Sequence, residues 1–208
     1  MLYIRKTPYD SYCISADSNR ELARSFLRFQ EYYESPNDKF RGQIFTIGQY
    51  RYWYEQKYGY FSYDTDWTGF NIPSYILEPF KSGLFDPLTP EEKNLISLFS
   101  NTSLDKFYII GANDRDTLNH ELNHALYAYS TTYSNEVNKI FDANLEKIKY
   151  AMEYLLNKGY CRYLLYDELQ AYLLDNDQEI ISLINDNTIV YAIHSLYLKF
   201  SEKKHYET

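Results

Sequence analysis

The segment His120-Glu121-Leu122-Asn123-His124 brings together residue types that can activate a water molecule. Histidines four apart share one face of an α-helix, with their rings one turn from each other, which suits two nitrogen ligands of a single zinc ion. Glu121 lies about 100° round the helix from His120, within reach of a water held by such a metal. The competing reading is a pair of surface histidines on an amphipathic helix. Five residues alone do not separate the two, so the surrounding sequence must.

The helical wheel favours the metal. At about 100° per residue, Leu118, Leu122, Ala125, Leu126 and Tyr129 fill one arc, and His120 and His124 point the other way. Such a helix packs its apolar face into the core and presents its histidines to a cleft. Here the sequence resembles the zincin metallopeptidases, whose active-site helix carries His-Glu-x-x-His. The resemblance spans about residues 106–174. It implies that His120 and His124 bind zinc and that Glu121 is the general base. It also implies a strand before the helix that lines the cleft edge, a place matched by 106–110, where an extended peptide could pair.

A third ligand is then needed. The metzincin pattern requires glycine at 127 and histidine at 130, and the sequence has Tyr127 and Ser130. The gluzincin pattern instead takes a glutamate from a later helix. On a helix expected over 134–157, Val137, Phe141, Ile148, Met152 and Leu155 define the buried face, and Glu146, Glu153 and Asp142 lie on the far side. Glu136 sits at that helix's start, where a carboxylate is favourable for dipole reasons alone. Glu168 differs: its helical neighbours are Leu164, Leu165, Ala171 and Tyr172, so its carboxylate emerges from an apolar surface. Burying a carboxylate there costs several kcal/mol unless a cation or hydrogen-bond donors compensate. Glu168-x-x-Ala171 also resembles the third-ligand helix of several gluzincins, which implies Glu168 as a zinc ligand. The separation, 168 − 124 = 44, suits two antiparallel helices around an intervening one. Tyrosine hydroxyls donating to Glu168 are the alternative.

For a second electrophile beside the metal, His194 and tyrosines 127, 163, 166 and 172 compete, and His194 reads equally as a hydrogen-bonded helix residue. Trp67 and Phe70 either wall an aromatic subsite or plug into the core. His205 reads as tail. Cys13 and Cys161 have no basic or histidine partner in sequence and read as structural thiols.

The elements that must position these residues start at recognisable signals. A strand at 12–16 runs into Ser18-Asn19-Arg20-Glu21, a capping box opening a helix over 19–34. Thr46 with Gln49 opens an aromatic-rich helix that ends near Gly59, and 61–63 reads as a strand. The segment 64–74 is turn-rich and reads as a loop. Thr89-Pro90-Glu91-Glu92 combines a cap, a proline and an acidic first turn. Beyond 115 the chain reads as helices over 115–130, 134–157, 163–174 and 188–203. The expected fold is one α+β, zincin-like domain: an α+β lobe over 1–105 and a helical lobe over 106–208 that carries the metal site.

Composition limits the partners. Lys plus Arg number 21 and Asp plus Glu 29, a net charge of −8, which disfavours nucleic acid and anionic membranes. No apolar run approaches the roughly 20 residues that span a bilayer. The N-terminus lacks a signal-peptide pattern, and two cysteines suit a reducing compartment, so the expected location is the cytoplasm. No two of the seven glycines are two apart, which excludes dinucleotide fingerprints, and there is no Gly-x-Ser-x-Gly elbow. The sequence reading is a zinc-dependent hydrolase acting on a peptide or protein substrate, with oligomeric state open. Its rivals are a regulatory or interaction protein that holds zinc without turnover, and an interaction protein in which the motif is accidental.

Overall fold

The computed structural model describes residues 1–102 and 104–201; Lys203, Lys204 and His205 lie outside them. The chain divides into two compact units, Met1–Glu121 and Leu122–Thr208. The fold is α+β, with one small mixed sheet in the N-terminal half.

In the first unit, β1 (Leu2–Thr7) and β2 (Ser11–Ala16) form an antiparallel hairpin whose turn holds Tyr9 and Asp10 at positive φ. The sequence reading had no strand at β1, whose mostly exposed residues give no buried-face signal. Ser18 accepts from the Glu21 N–H at 3.2 Å and starts α1 (Asn19–Glu34). Thr46 and Gln49 close a full capping box at α2 (Ile47–Tyr58). Next come α3 (Tyr63–Asp66) and β3 (Phe70–Pro73), where the sequence suggested a strand at 61–63 and a loop over 64–74. The turn signals there mark only the approach to β3; Phe70, Asn71 and Ile72 are all buried. A 3₁₀ turn, Ser74–Leu77, leads to α4 (Glu78–Lys81), and Thr89 and Glu92 cap α5 (Pro90–Ser97).

The sheet is completed by β4 (Tyr108–Gly111), giving the order β1-β2-β4-β3, with β4 parallel to β2 and antiparallel to β3. The strand expected at an edge is therefore internal to the sheet, and β3 is the edge strand beside it. All four residues of β4 are buried, as an inner strand requires, whereas β3 ends in Pro73, which has no N–H to offer a further neighbour. Helix α1 lies against the sheet, with Phe26 stacked on Phe70 at 5.3 Å. Gly111 permits this approach, since a Cβ there would stand 2.8 Å from the Phe26 ring.

The helix bearing the motif, α6 (Arg115–Tyr129), begins where Asp114 accepts from the Thr117 N–H at 2.8 Å, a bond that holds the Asp114 carboxyl below its usual range. Beyond it, the single helix expected over 134–157 is two, α7 (Thr131–Asp142) and α8 (Leu145–Lys158). The break falls at Ala143-Asn144, where the Asn144 side-chain amide donates to the Ile140 carbonyl at 2.8 Å and competes with helix continuation. Val137, Phe141, Ile148 and Leu155 are buried as expected, because each half keeps its own apolar stripe. Gly159, at φ 106, closes α8. A 3₁₀ turn, Arg162–Leu164, then leads into α9 (Leu165–Leu174), followed by α10 (Gln178–Ser182) and α11 (Asn187–Ser201). Helix α9 is the centre of this unit: it packs on α7, α8 and α11, and seven of its ten residues are buried.

Candidate metal centre

His120 and His124 are one turn apart on α6, and Glu168 lies in the first turn of α9. One ligand atom from each falls within 4.8 Å of the others. His124 is 2% exposed and Glu168 4%, and His120 is half-buried. His124 Nε2 stands 3.8 Å from Glu168 Oε2. Two ligands held at 2.0–2.1 Å on a tetrahedral ion are about 3.4 Å apart, so this spacing is close to that of groups sharing a metal and beyond that of a hydrogen bond. Two imidazoles and a carboxylate form a donor set that could hold a metal ion, the kind of three-ligand set that catalytic zinc sites use.

The best-defined support at the site is one the sequence reading missed. Asp167, the neighbour of Glu168, places Oδ1 2.8 Å from His124 Nδ1. A carboxylate accepts, so the proton of this bond sits on Nδ1, and Nε2 is the ring atom that would meet a metal ion. Asp167 is itself held by Gln170 Nε2 at 3.2 Å, and Gln170 also donates to the Asn123 carbonyl and accepts from the Tyr133 hydroxyl. Metal-binding histidines are commonly oriented this way. The available signal was Asp167 and Gln170 beside Glu168 on a mostly apolar helix, three residues apart and on one face.

Searches of protein-family models, curated proteins and solved structures return no match. The chemistry of the site rests on its own residues.

Glu121 is 5% exposed, not open to a cleft. Asn71 on β3 donates through Nδ2 to Glu121 Oε2 at 2.7 Å, and a Cβ built on Gly69 would fall 2.2 Å from Glu121 Oε1. The buried face of α6 is accordingly wider than the wheel suggested. It includes Leu118, Glu121 and Asn123 through Leu126, while Leu122 is half-buried and Tyr129 is exposed. Polar partners make that widening tolerable: Asn71 for Glu121, Asp167 for His124.

The competing acids are placed elsewhere. Glu146 pairs with Lys149 and its side chain is 89% exposed; Glu153 is exposed, Glu136 pairs with Lys139, and Asp142 accepts from the Tyr166 hydroxyl. Of the suggested electrophiles, His194 Nε2 donates to the Leu173 carbonyl at 2.8 Å and Tyr127 to Asn138. Tyr163 is exposed. Tyr172 shares a hydrogen bond with Tyr160, and burial, with a smaller contribution from the Glu168 charge, raises its pKa. Phe70 is core and Trp67 half-buried. Both Cys13 and Cys161 are buried thiols.

Proposed function

We propose that this chain is a zinc-dependent hydrolase of peptide bonds, zincin-like in fold and gluzincin-like in ligand set. The observation that supports it most is the convergence of His120, His124 and Glu168, with Asp167 fixing the His124 tautomer. Zinc, when bound, supplies Lewis acidity at a carbonyl and lowers the pKa of a water to about 7. Glu121 is the group of this chain that takes the water's proton and returns it to the leaving amine.

The test is Glu121→Gln. It keeps all three ligands, so zinc binding should be retained while cleavage of a quenched peptide library falls about 100-fold or more. Survival of activity in this variant rejects Glu121 as the base. One observation favours the rival reading, a protein that holds zinc without turnover: Glu121, His124 and Glu168 are all buried. Zinc binding by the unaltered chain, with no cleavage of any library member, would support it. Among the described residues, no helix is long and apolar enough to cross a membrane.

A further inference from the structure

We propose that Asn71 is the residue that orients Glu121, a positioning role built into the edge strand of the sheet; this rests on the reading of Glu121 as the base. Asn71 is fixed at three points. Its Nδ2 donates to Glu121 Oε2 at 2.7 Å, its Oδ1 accepts from the Tyr108 hydroxyl at 2.6 Å, and its backbone N–H donates to Gln30 Oε1 at 3.1 Å. The direction of the amide follows from chemistry. A carboxylate only accepts, so the amide must turn its NH₂ toward Glu121, which leaves Oδ1 for a donor, and the Tyr108 hydroxyl is that donor. A reversed amide would set two acceptors against each other in a buried place, at a cost of about 1–3 kcal/mol.

The sheet supplies the geometry. Asn71 pairs with Ile110 and Pro73 pairs with Tyr108, so the Asn71 and Tyr108 side chains are diagonal neighbours on one face. Two residues earlier, Gly69 brings the chain against the other oxygen: a Cβ there would meet Glu121 Oε1 at 2.2 Å and Thr117 Cγ2 at 2.9 Å. Positions 69 and 71 thus cradle both oxygens of one carboxylate. A buried carboxylate needs a donor for stability alone, but stability requires neither this exclusion of a methyl group nor a relay that fixes the donor's direction.

Asn71→Asp keeps the shape and replaces the donor by an acceptor; Gly69→Ala displaces the same carboxylate while leaving Asn71 intact. Both should retain zinc affinity within about twofold, since neither residue is a ligand. Each should lower kcat on the quenched peptide library by about 10- to 100-fold with KM unchanged, the range of a charge-assisted hydrogen bond. In metal-free, ¹⁵N-labelled protein the Asn71 side-chain amide signals should shift in Glu121→Ala, a readout independent of activity. If Asn71→Asp does not fold, Gly69→Ala carries the test, because Gly69 is half-buried and its φ is not in the left-handed region that favours glycine. Wild-type kcat in the variants, or amide signals indifferent to Glu121→Ala, overturns the positioning role alone. An unaltered chain that binds no zinc overturns the functional reading itself, and the role with it.

Discussion

Glu92 in the first unit and Glu168 in the second are buried to nearly the same degree, 0% and 4% exposed, yet their surroundings differ in kind. Glu92 meets a guanidinium: Arg28 Nε lies 2.6 Å from Oε1, Arg28 Nη2 reaches Oε2, and Oε2 also accepts from the Thr89 N–H. Its charge is compensated within the chain. Glu31, also buried, follows a second course: burial pushes its carboxyl up to about 7, and Ser35, Tyr50 and Tyr63 beside it only partly oppose that. Glu168 stands with two imidazoles, one of them held by Asp167 through Nδ1. An arginine, a proton and, in the reading proposed here, a metal ion are three answers to the cost of burying a carboxylate.

The largest effect that would sharpen the contrast is at Glu92. Arg28→Met leaves that charge buried without its guanidinium and should lower the unfolding free energy by about 3–5 kcal/mol; adding Glu92→Gln should recover much of it. Chemical denaturation of the single and double variants measures this, and a single variant as stable as the parent would deny that Arg28 compensates the charge.

A slightly smaller effect belongs to Glu31. Below the ordinary carboxyl value of 4.5 the group is protonated in both the folded and unfolded chain. Between 4.5 and about 7 only the folded chain keeps the proton, so stability falls as pH rises, by about 1.4 kcal/mol per unit and about 3 kcal/mol in all. Above that window the loss is complete. Glu31→Gln should remove this slope, seen as a smaller difference between denaturation midpoints at pH 5 and pH 8. An unchanged slope would place the proton elsewhere.

The smallest is Asp167→Asn. It keeps the size of the side chain but weakens its hold on the His124 ring, and should cost about 10- to 100-fold in zinc affinity. Zinc affinity equal to the parent's would mean that Asp167 does not orient the ligand.

How much of this was readable in the sequence follows from how local each cause is. Helix starts at Ser18, Thr46 and Thr89 were legible because a cap and its partner are three residues apart. Glu168 stood out because apolar neighbours on its own helix already implied its burial. The break at Ala143-Asn144 was not legible, since the apolar stripe continues across it with no glycine or proline. Strand β3 was hidden because it is short, follows Trp67-Thr68-Gly69 and draws its pairing from Tyr108–Gly111, far along the chain. Asn71 and Asp167 were missed for a similar reason: their partners, Glu121 and His124, lie 50 and 43 residues away.

The central claim is that Glu168 joins His120 and His124 on one metal ion. Competitive zinc titration of the parent chain, Glu168→Ala, Glu146→Ala and Glu153→Ala tests it most directly. The expected result is one zinc per parent chain and unchanged binding in Glu146→Ala and Glu153→Ala. Glu168→Ala should lose more than about 100-fold, beyond what removing an outer partner produces. A parent chain without zinc, or a Glu168→Ala variant that binds it as tightly as the parent, would contradict the account.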